Sequence, residues 1–397
     1  MGRLIAPLLL SFSLSAAALA ASPSTTELVE AAWQRHPQAR GLDARRAELA
    51  ALADLAAGWT PGPGSVGIGN RNDQTFERRG QLEWELEYAQ PVWLPGQAGA
   101  RREEAAAALR TLEAERSALR LGLTRSVLDA HRNWRLARGL EALAERRLEV
   151  ATQLAADLAR RVRAGESPRF DLNLAEGERL SAEGAVAEQR LAVADAGRAF
   201  AVLVGRLPPE TLAAPVPSDV PAEHPALAAA REAAALATAR LAVTRQSLRD
   251  NPEVGLRLRR ERGGYGEGMA DSVMVRVVIP LASAPRTAAR EAGAQAAVTE
   301  SAVTLARRRS QLEADQASAT DQLATARALE ESARRRQQLA EDNVQLADRA
   351  WRLGERPLEA LLRARAASFD ADSGALRARF AREQAEAWRD YLKGVAE

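Results

Sequence analysis

The sequence repeats itself once over almost its whole length. His36-Pro37 returns as His224-Pro225 about 188 residues later, and in both halves this pair precedes a helix-like stretch. Each half continues through two short β-like runs, a very long helical stretch and a Gly-Glu-x-Pro segment, which begins at Gly165 or at Gly354. Solenoid repeats have periods of roughly 20–50 residues, far shorter than this one. The repeat therefore predicts two similar halves of one elongated body rather than two or three compact domains.

The first residues are typical of a secretory signal peptide. Arg3 is the only charge before the apolar run Leu4–Leu14, and Ala18-Leu19-Ala20 is a small-x-small cleavage site. The apolar run is too short to favour a membrane-spanning helix, although an uncleaved anchor is the alternative. We expect residues 1–20 to be a cleaved signal peptide and the rest of the chain to be exported.

The composition excludes several kinds of site. The chain has no cysteine, so it has no disulfide framework, no thiol nucleophile and no cysteine for lipid attachment. Its 55 Lys and Arg nearly balance its 53 Asp and Glu, and no basic patch indicates a nucleic-acid partner. The dominance of Ala, Arg, Leu and Glu with helical periodicity is typical of long helices and coiled coils.

The two longest predicted helices span residues 96–164 and 285–353. Apolar residues recur in them at spacings of three, four and seven, as in Leu109, Leu112, Leu119 and Leu123. At 1.5 Å per residue, each would be a rod of roughly 100 Å.

Shorter predicted helices accompany each rod. Helices over 168–204 and 37–59 together nearly match the first rod in length, and 357–395 and 225–250 offer the same arrangement in the second half. The two shorter helices would meet near the middle of the rod, at the proline-rich segment 205–222. We therefore divide the mature chain into a first repeat (21–204), this equatorial segment and a second repeat (223–397).

Four strands are predicted, at about 65–71, 81–91, 252–260 and 271–280. The clearest has Leu82, Trp84, Leu86 and Tyr88 on one face and Glu83, Glu85 and Glu87 on the other. Strict alternation is the period of a strand with one apolar face. The strands form two hairpins of the length that crosses a bilayer at a tilt. Four strands cannot close a barrel, and open edges do not occur in lipid. The hairpins are therefore either ordinary soluble hairpins or parts of a barrel shared by several chains.

The whole mature chain resembles the TolC family of outer-membrane efflux proteins. The resemblance rests on the two His-Pro pairs before Ala-rich helices, on strands that end at Pro91 and Pro280 before long helices, and on the turns at Gly165 and Gly354. It implies a mainly α fold with a small β part, in which a duplicated long-helix α-barrel carries four membrane β-strands per chain. It also implies a homotrimer with a closed 12-stranded β-barrel.

The resemblance further implies a passive exit duct in the outer membrane, with a large periplasmic portion. Its expected partners are outer-membrane lipid, a periplasmic adaptor (membrane fusion) protein and an inner-membrane pump of the resistance-nodulation-division type. The compact length and the Asn251-Pro252-Glu253-Val254 segment look most like CzcC-type components of heavy-metal efflux systems. Drug efflux and type I protein secretion are alternative roles, and a periplasmic coiled-coil adaptor or scaffold is an alternative of another class.

The turns that divide the long helices are candidates for adaptor contact and gating at the periplasmic tip. Relatives often carry a carboxylate six residues after the turn glycine; Asp171 fits this pattern, whereas the second repeat has Ala360 there and Glu359 beside it. Helix capping is the alternative role of such residues. The candidate tip residues are Gly165, Glu166, Pro168, Asp171, Gly354, Glu355, Pro357 and Glu359.

Two further sets of candidates lie on the strands. We expect Glu83, Glu85, Glu87, Arg257, Arg259 and Arg276 to line the barrel lumen, with soluble charged hairpins as the alternative. We expect Leu82, Trp84, Leu86, Tyr88 and Trp93 to face lipid or form part of an aromatic belt, to which Trp59 could also belong; core packing is the alternative for single aromatics.

Neither a catalytic nor a metal site is apparent in the sequence. The three histidines, His36, His131 and His224, lack the converging ligands that a metal centre needs. No nucleophile–base pair stands out, and the glycines of 263–268 lack the strand-to-helix context of a phosphate loop. We therefore expect neither an enzyme nor a bound cofactor.

Overall fold

A computed structural model describes residues 23–75, 77–213 and 221–395. The predicted signal peptide lies outside the described residues, as do residues 214–220 of the equatorial segment. The described chain forms, in order, α1 (Thr25–Arg35), α2 (Pro37–Ala57), β1 (Ser65–Asn72), β2 (Leu82–Pro91), α3 (Gln97–Arg163), α4 (Arg169–Val204), α5 (Pro225–Gln246), β3 (Glu253–Arg262), β4 (Ala270–Val278), α6 (Ala284–Arg352) and α7 (Leu358–Leu392). The prediction of a mainly helical chain with a small β part is confirmed.

The ends of the shorter helices differ slightly from the prediction. Ser24 caps α1, because its hydroxyl accepts a hydrogen bond from the Glu27 amide. Helix α5 ends at Gln246 instead of about residue 250. The reason is local: the side chain of Gln97 bonds to those of Ser247 and Asn251, which holds that segment outside the helix.

The helices form a single layer in which neighbours run in opposite directions. In the half near the sheet, the order across the layer is α6, α5, α3 and α2. In the other half it is α6, α7, α3 and α4. Each rod therefore contacts the two shorter helices of its own repeat, as the sequence predicted, and α3 also contacts α5 and α7 of the second repeat. Within the described residues, α6 contacts neither α2 nor α4. Helix α6 therefore forms one free edge of the layer, and α2 and α4 together form the other.

The apolar core is divided among several small clusters along the layer. One lies at the equator, where Leu28 of α1 packs with Val127 of α3 and with Phe200 of α4. Another lies at the end remote from the sheet, where Leu158 packs with Ala175 and Leu361 and so joins the hairpin α3–α4 to the hairpin α6–α7. No helix in the described ranges has both the length and the apolar character needed to cross a membrane.

The four strands form one antiparallel sheet in the order β1-β2-β3-β4. The central pair joins the two repeats, with Leu86 opposite Leu258 and Glu85 opposite Arg259. Strands β1 and β4 lie at the edges, and within the described residues each has one side without a strand partner. In the described residues, the sheet and the helical layer are therefore both open, and each has two free edges.

Candidate functional site

One face of the sheet carries a network of ion pairs that crosses the junction between the two repeats. Glu87 bonds to Arg257 at 2.6 Å and to Arg276 at 2.9 Å. Glu83 lies 2.7 Å from Arg259, and Glu85 lies 3.5 Å from Arg257. The structure therefore brings all six of the predicted lumen residues together on one face.

The opposite charges on this face nearly cancel, which the separate strands did not reveal. The strand register adds Arg71 and Glu261 to it, because both lie directly opposite Glu83 on the neighbouring strands. With Glu253 at the start of β3, which shares this face, it carries five glutamates and four arginines in β1 to β4. Such a surface is polar and wettable but has only a small net charge to concentrate ions of one sign.

The opposite face of the sheet is apolar and exposed. Trp84, Leu86 and Tyr88 lie on it, with Leu82 half-buried at its end opposite Arg262. Paired strands extend this face through Val66, Ile68, Val254, Leu256, Leu258, Val273, Val275 and Val277. Ile68 is 75% exposed and Val275 is 71% exposed. A continuous exposed apolar surface of this kind indicates contact with lipid or with a protein partner.

The tryptophans near the junction of sheet and helices have different surroundings. Trp93 follows the end of β2 and is partly buried, with its Nε1 donating a hydrogen bond to the Gly58 carbonyl 3.1 Å away. Trp59 is 94% exposed beside this contact. Of the two tryptophans, only Trp59 has a fully exposed ring, as expected for a residue at a bilayer interface.

The two turns remote from the sheet have the same backbone structure. Gly165 has φ of +80° and Gly354 has φ of +76°, a region that glycine adopts without strain. The amide of Glu166 donates to the Arg161 carbonyl at 2.8 Å, and the amide of Glu355 donates to the Ala350 carbonyl at 2.9 Å. Both turns are Schellman motifs, which explains why each needs glycine at this position.

The predicted acidic residues lie around these turns. Glu166 and Glu355 are exposed, and Asp171 lies half-buried in the first turn of α4, which follows Pro168. Glu359 lies in the first turn of α7, after Pro357, and pairs with Arg363. The cluster around Leu158 and Leu361 holds the two hairpins together here, so the turns lie at the same end of the molecule.

Sequence reasoning missed the arginines among these carboxylates. Arg163 and Arg169 flank the first turn, and Arg356 and Arg363 lie at the second. They are visible in the sequence, but only as part of a uniformly Arg-rich chain. No group of three or more His, Asp or Glu residues suited to a metal ion occurs in the described ranges. The tip is therefore a mixed-charge surface.

A groove runs along α6 and α7 from the second turn towards the equator. Its volume is about 810 Å³, and its floor is mostly alanine, including Ala347, Ala350, Ala360 and Ala364. Arg336 and Arg356 line it as well. Small side chains leave the backbone of both helices accessible along this groove.

Sequence reasoning also missed the histidine contacts at the equator. His131 is buried, and its Nε2 lies 2.9 Å from the Pro209 carbonyl oxygen. Burial, together with the nearby Arg135 and Arg132, lowers the pKa of His131. Burial likewise lowers the pKa of His224, whose ring bonds to the backbone at both nitrogens. His131 thus ties the equatorial segment to α3, and His224 ties the start of α5 to the end of α7.

No protein-family model matches the sequence, and no curated protein matches it. Solved structures do match it. CusC, described for its transmembrane channel formation, is 18% identical with a TM-score of 0.75, covering 94% of this chain and 92% of CusC. The outer membrane protein VceC of Vibrio cholerae is 17% identical with a TM-score of 0.75, covering 94% of this chain and 96% of VceC. The MtrE outer membrane channel of Neisseria gonorrhoeae is 18% identical with a TM-score of 0.73, covering 94% of this chain and 89% of MtrE. This chain therefore has the fold of these channel proteins, which is the TolC-like fold that the sequence predicted.

Proposed function

We propose that the protein is the exit duct of a tripartite efflux system, located in the outer membrane with a large periplasmic portion. The observation that carries this proposal is the sheet: one face apolar and exposed, one face lined by paired charges, and both edges free. Lipid suits the first face and water the second. The free edges require pairing with further strands, because unpaired backbone groups are very unfavourable in lipid.

Closure by three copies is the arrangement that the TolC resemblance implies. Three four-stranded sheets, joined edge to edge, give a 12-stranded barrel, and the three helical layers continue it as an α-barrel. The predicted signal peptide at residues 1–20 supports export. The strand directions and the free edges on both sides of the chain are compatible with a closed ring.

The proposed partners are a periplasmic adaptor protein at the tip and, through it, an inner-membrane pump of the resistance-nodulation-division type. The contact region comprises the turns at Gly165 and Gly354 with their flanking acids and arginines. The alanine-lined groove between α6 and α7 leads away from the second turn and offers a surface for an adaptor helix. Gating would involve the same turns, because the hairpins are held together there by a small apolar cluster.

For the cargo, we propose heavy-metal cations, in line with the CzcC-like features of the sequence. On the mixed-charge tip, the carboxylates Glu166, Asp171, Glu355 and Glu359 are the groups that would contact cations. A duct of this kind needs no tight metal site, since a strongly bound ion would not be released. Drugs and secreted proteins are the competing cargoes. A periplasmic adaptor or scaffold is less well supported, because it leaves the exposed apolar face of the sheet unexplained.

Membrane fractionation tests the location and the assembly. We expect heat-resistant trimers in the outer-membrane fraction after expression of the full chain. A soluble periplasmic monomer would refute the exit duct.

The cargo is tested separately by deleting the gene in its own host. Loss of tolerance to divalent heavy-metal ions with unchanged drug tolerance is expected, and both should be compared with a strain complemented by the intact gene. Loss of drug tolerance alone would leave the duct intact and overturn the metal assignment.

A further inference from the structure

The exposed apolar face of the sheet carries charged residues at one end only. Arg260 and Arg262 lie on this face, because they stand opposite Trp84 and Leu82 of β2. Asp271 of β4 joins them, directly opposite Arg260. In the described strands, no other charged residue lies on this face. These three residues therefore form a charged border to a surface that is otherwise suited to lipid.

The charged border lies at the end of the sheet remote from the helices. The loops 73–81 and 263–269, which connect the strands of each hairpin, lie at this end. At the other end, where the strands meet α3 and α6, Val254 lies opposite Val277. In the proposed duct the helices are periplasmic, so the charged border faces the outside of the cell.

The change from apolar to charged residues occurs within one step of the strand pattern. Leu86 lies opposite Leu258, and two residues further along the same strands Trp84 lies opposite Arg260. Two residues of a strand rise about 7 Å. An arginine that faces lipid is strongly destabilising at the middle of a bilayer but is tolerated near its surface. The border therefore lies at the level of the lipid headgroups, where a tryptophan such as Trp84 is also expected.

A groove on the apolar face crosses this boundary. Its volume is about 450 Å³, which is within the range of ligand-sized clefts. Arg260 and Asp271 line the groove together with five apolar side chains that are 44–75% exposed. The apolar side chains are those of Ile68, Trp84, Leu86, Leu258 and Val273. An apolar groove that meets a guanidinium group suits a molecule with an acyl chain and an anionic headgroup.

Arg260 can bind a further anion although it has an acid partner. Its Nε lies 3.3 Å from the carboxylate of Asp271, and the two side chains are 61% and 71% exposed. Ion pairs this exposed contribute little to stability. A guanidinium group also has five N–H donors, so one carboxylate does not saturate it.

Arg262 is held by the neighbouring loop and has no acid partner among the described residues. Its Nε donates a hydrogen bond to the Gly80 carbonyl 3.0 Å away, and its guanidinium lies 5.8 Å from the centre of the Tyr265 ring. Acids of the two loops make other contacts, since Asp73 and Glu267 accept hydrogen bonds from backbone amides. The charge of Arg262 is therefore available to a ligand.

We propose that Arg260 and Arg262 bind a phosphate monoester of a glycolipid in the outer leaflet, and that an acyl chain of this lipid lies in the groove. The two side chains leave the same face of β3 about 7 Å apart. A phosphate monoester offers three acceptor oxygens and up to two negative charges. Two guanidinium groups match this set, because each can donate two parallel hydrogen bonds to phosphate oxygens. The site rests on the proposed outer-membrane location but specifies a ligand that the duct alone does not.

Lipid binding to the full-length trimer tests the site. The probe is diphosphoryl lipid A added to nanodiscs of phosphatidylethanolamine, and the lipid bound per trimer is counted by native mass spectrometry. Arg260→Gln combined with Arg262→Gln should weaken binding of the probe at least about tenfold. Arg71→Gln is the matched control, because Arg71 lies at the same height on the other face of the sheet, opposite Glu83, and should leave binding unchanged.

Asp271→Asn provides a second measurement with the opposite sign. It removes the acid beside Arg260, so the probe should bind several-fold more tightly. Dephosphorylated lipid A should bind weakly to the unmodified protein and to every variant alike. Inorganic phosphate in excess should not displace the probe, because the free ion has no acyl chain to occupy the groove.

The outcomes separate the lipid site from the duct. Equal binding of the probe by the unmodified trimer and by the double variant would overturn the site and leave the duct in place. If the double variant yields no trimer, an unchanged affinity in Asp271→Asn would overturn the site in the same way. Displacement by inorganic phosphate, or equally tight binding of phosphatidylglycerol, would overturn the glycolipid as the ligand. A soluble monomer from the unmodified chain would overturn both the site and the duct.

Discussion

The imidazole of His224 links the first turn of α5 to the end of α7, through the carbonyl oxygen of Tyr391. Its Nε2 donates to that oxygen at 3.2 Å, while its Nδ1 accepts a hydrogen bond from the Ala226 amide at 3.2 Å. This arrangement requires the neutral ring, because a protonated Nδ1 could not accept. His131 holds the equatorial segment itself, where its Nε2 lies 2.9 Å from the Pro209 carbonyl oxygen.

Lowering the pH should therefore destabilise the region around His131 and His224. Burial lowers the pKa of both His131 and His224 below the ordinary value of 6.5. In the pH range between 6.5 and the lower pKa of the folded state, the unfolded chain binds more protons, so the free energy of unfolding falls as the pH falls. We expect the thermal unfolding midpoint in detergent to decrease as the pH is lowered from 7.5 into this range.

The control replaces the titrating rings with neutral side chains that keep some hydrogen-bonding capacity. The variant His131→Gln/His224→Asn should start from a lower midpoint at pH 7.5 but show a flatter dependence on pH below 6.5. An unchanged pH profile would show that other groups cause the loss of stability.

The two faces of β4 should respond in opposite ways to the same substitution. Val275 lies on the apolar face and Met274 on the charged face, although the two are adjacent in sequence. An arginine in contact with the middle of a bilayer costs about 2–4 kcal/mol in a β-barrel, whereas the lumen tolerates it. Val275→Arg should sharply reduce the amount of heat-resistant trimer in outer membranes, and Met274→Arg should leave it near normal. Equal losses in both variants would contradict the assignment of the faces.

The sequence was informative where structure depends on local pattern. The alternation from Leu82 to Tyr88 indicated β2, and the spacing of apolar residues from Leu109 to Leu123 indicated α3, because each pattern arises within one segment. Contacts between distant segments were not predictable in this way. Nothing near His224 in sequence points to Tyr391, and the balance between Glu87 and Arg257 depends on the register between the repeats. The free edges of the helical layer, too, could be identified only from the order of the helices in the structure.

Ion selectivity should depend on Glu85 in the proposed lumen. Glu85 lies 3.5 Å from Arg257 and 3.9 Å from Arg259 on the charged face of the sheet. Glu85→Lys changes the charge of this face by two units per chain. It also removes one carboxylate partner from Arg257 and one from Arg259. We expect reversal potentials in planar bilayers under a KCl gradient to shift towards anion preference.

The matched control exchanges a charge pair without altering the sum. Glu87→Arg combined with Arg257→Glu keeps the net charge of the face, so the reversal potential should stay close to that of the unmodified protein. An unchanged potential in Glu85→Lys would remove this face from the conducting path.

The turn at Gly165 should be sensitive to substitution even though it has open space around it. A Cβ atom there would meet nothing within 4 Å, so any effect of Gly165→Ala comes from the backbone. A left-handed conformation costs a non-glycine residue about 1–2 kcal/mol, and the Schellman bonds hold the turn in that conformation. We expect Gly165→Ala, and Gly354→Ala in the second repeat, to lower the thermal unfolding midpoint. Gly122→Ala is the control, since Gly122 also has open space but lies inside α3, where alanine is favoured by up to about 1 kcal/mol. A midpoint for Gly165→Ala that equals or exceeds that of Gly122→Ala would mean that the tip rearranges and does not need the Schellman turn.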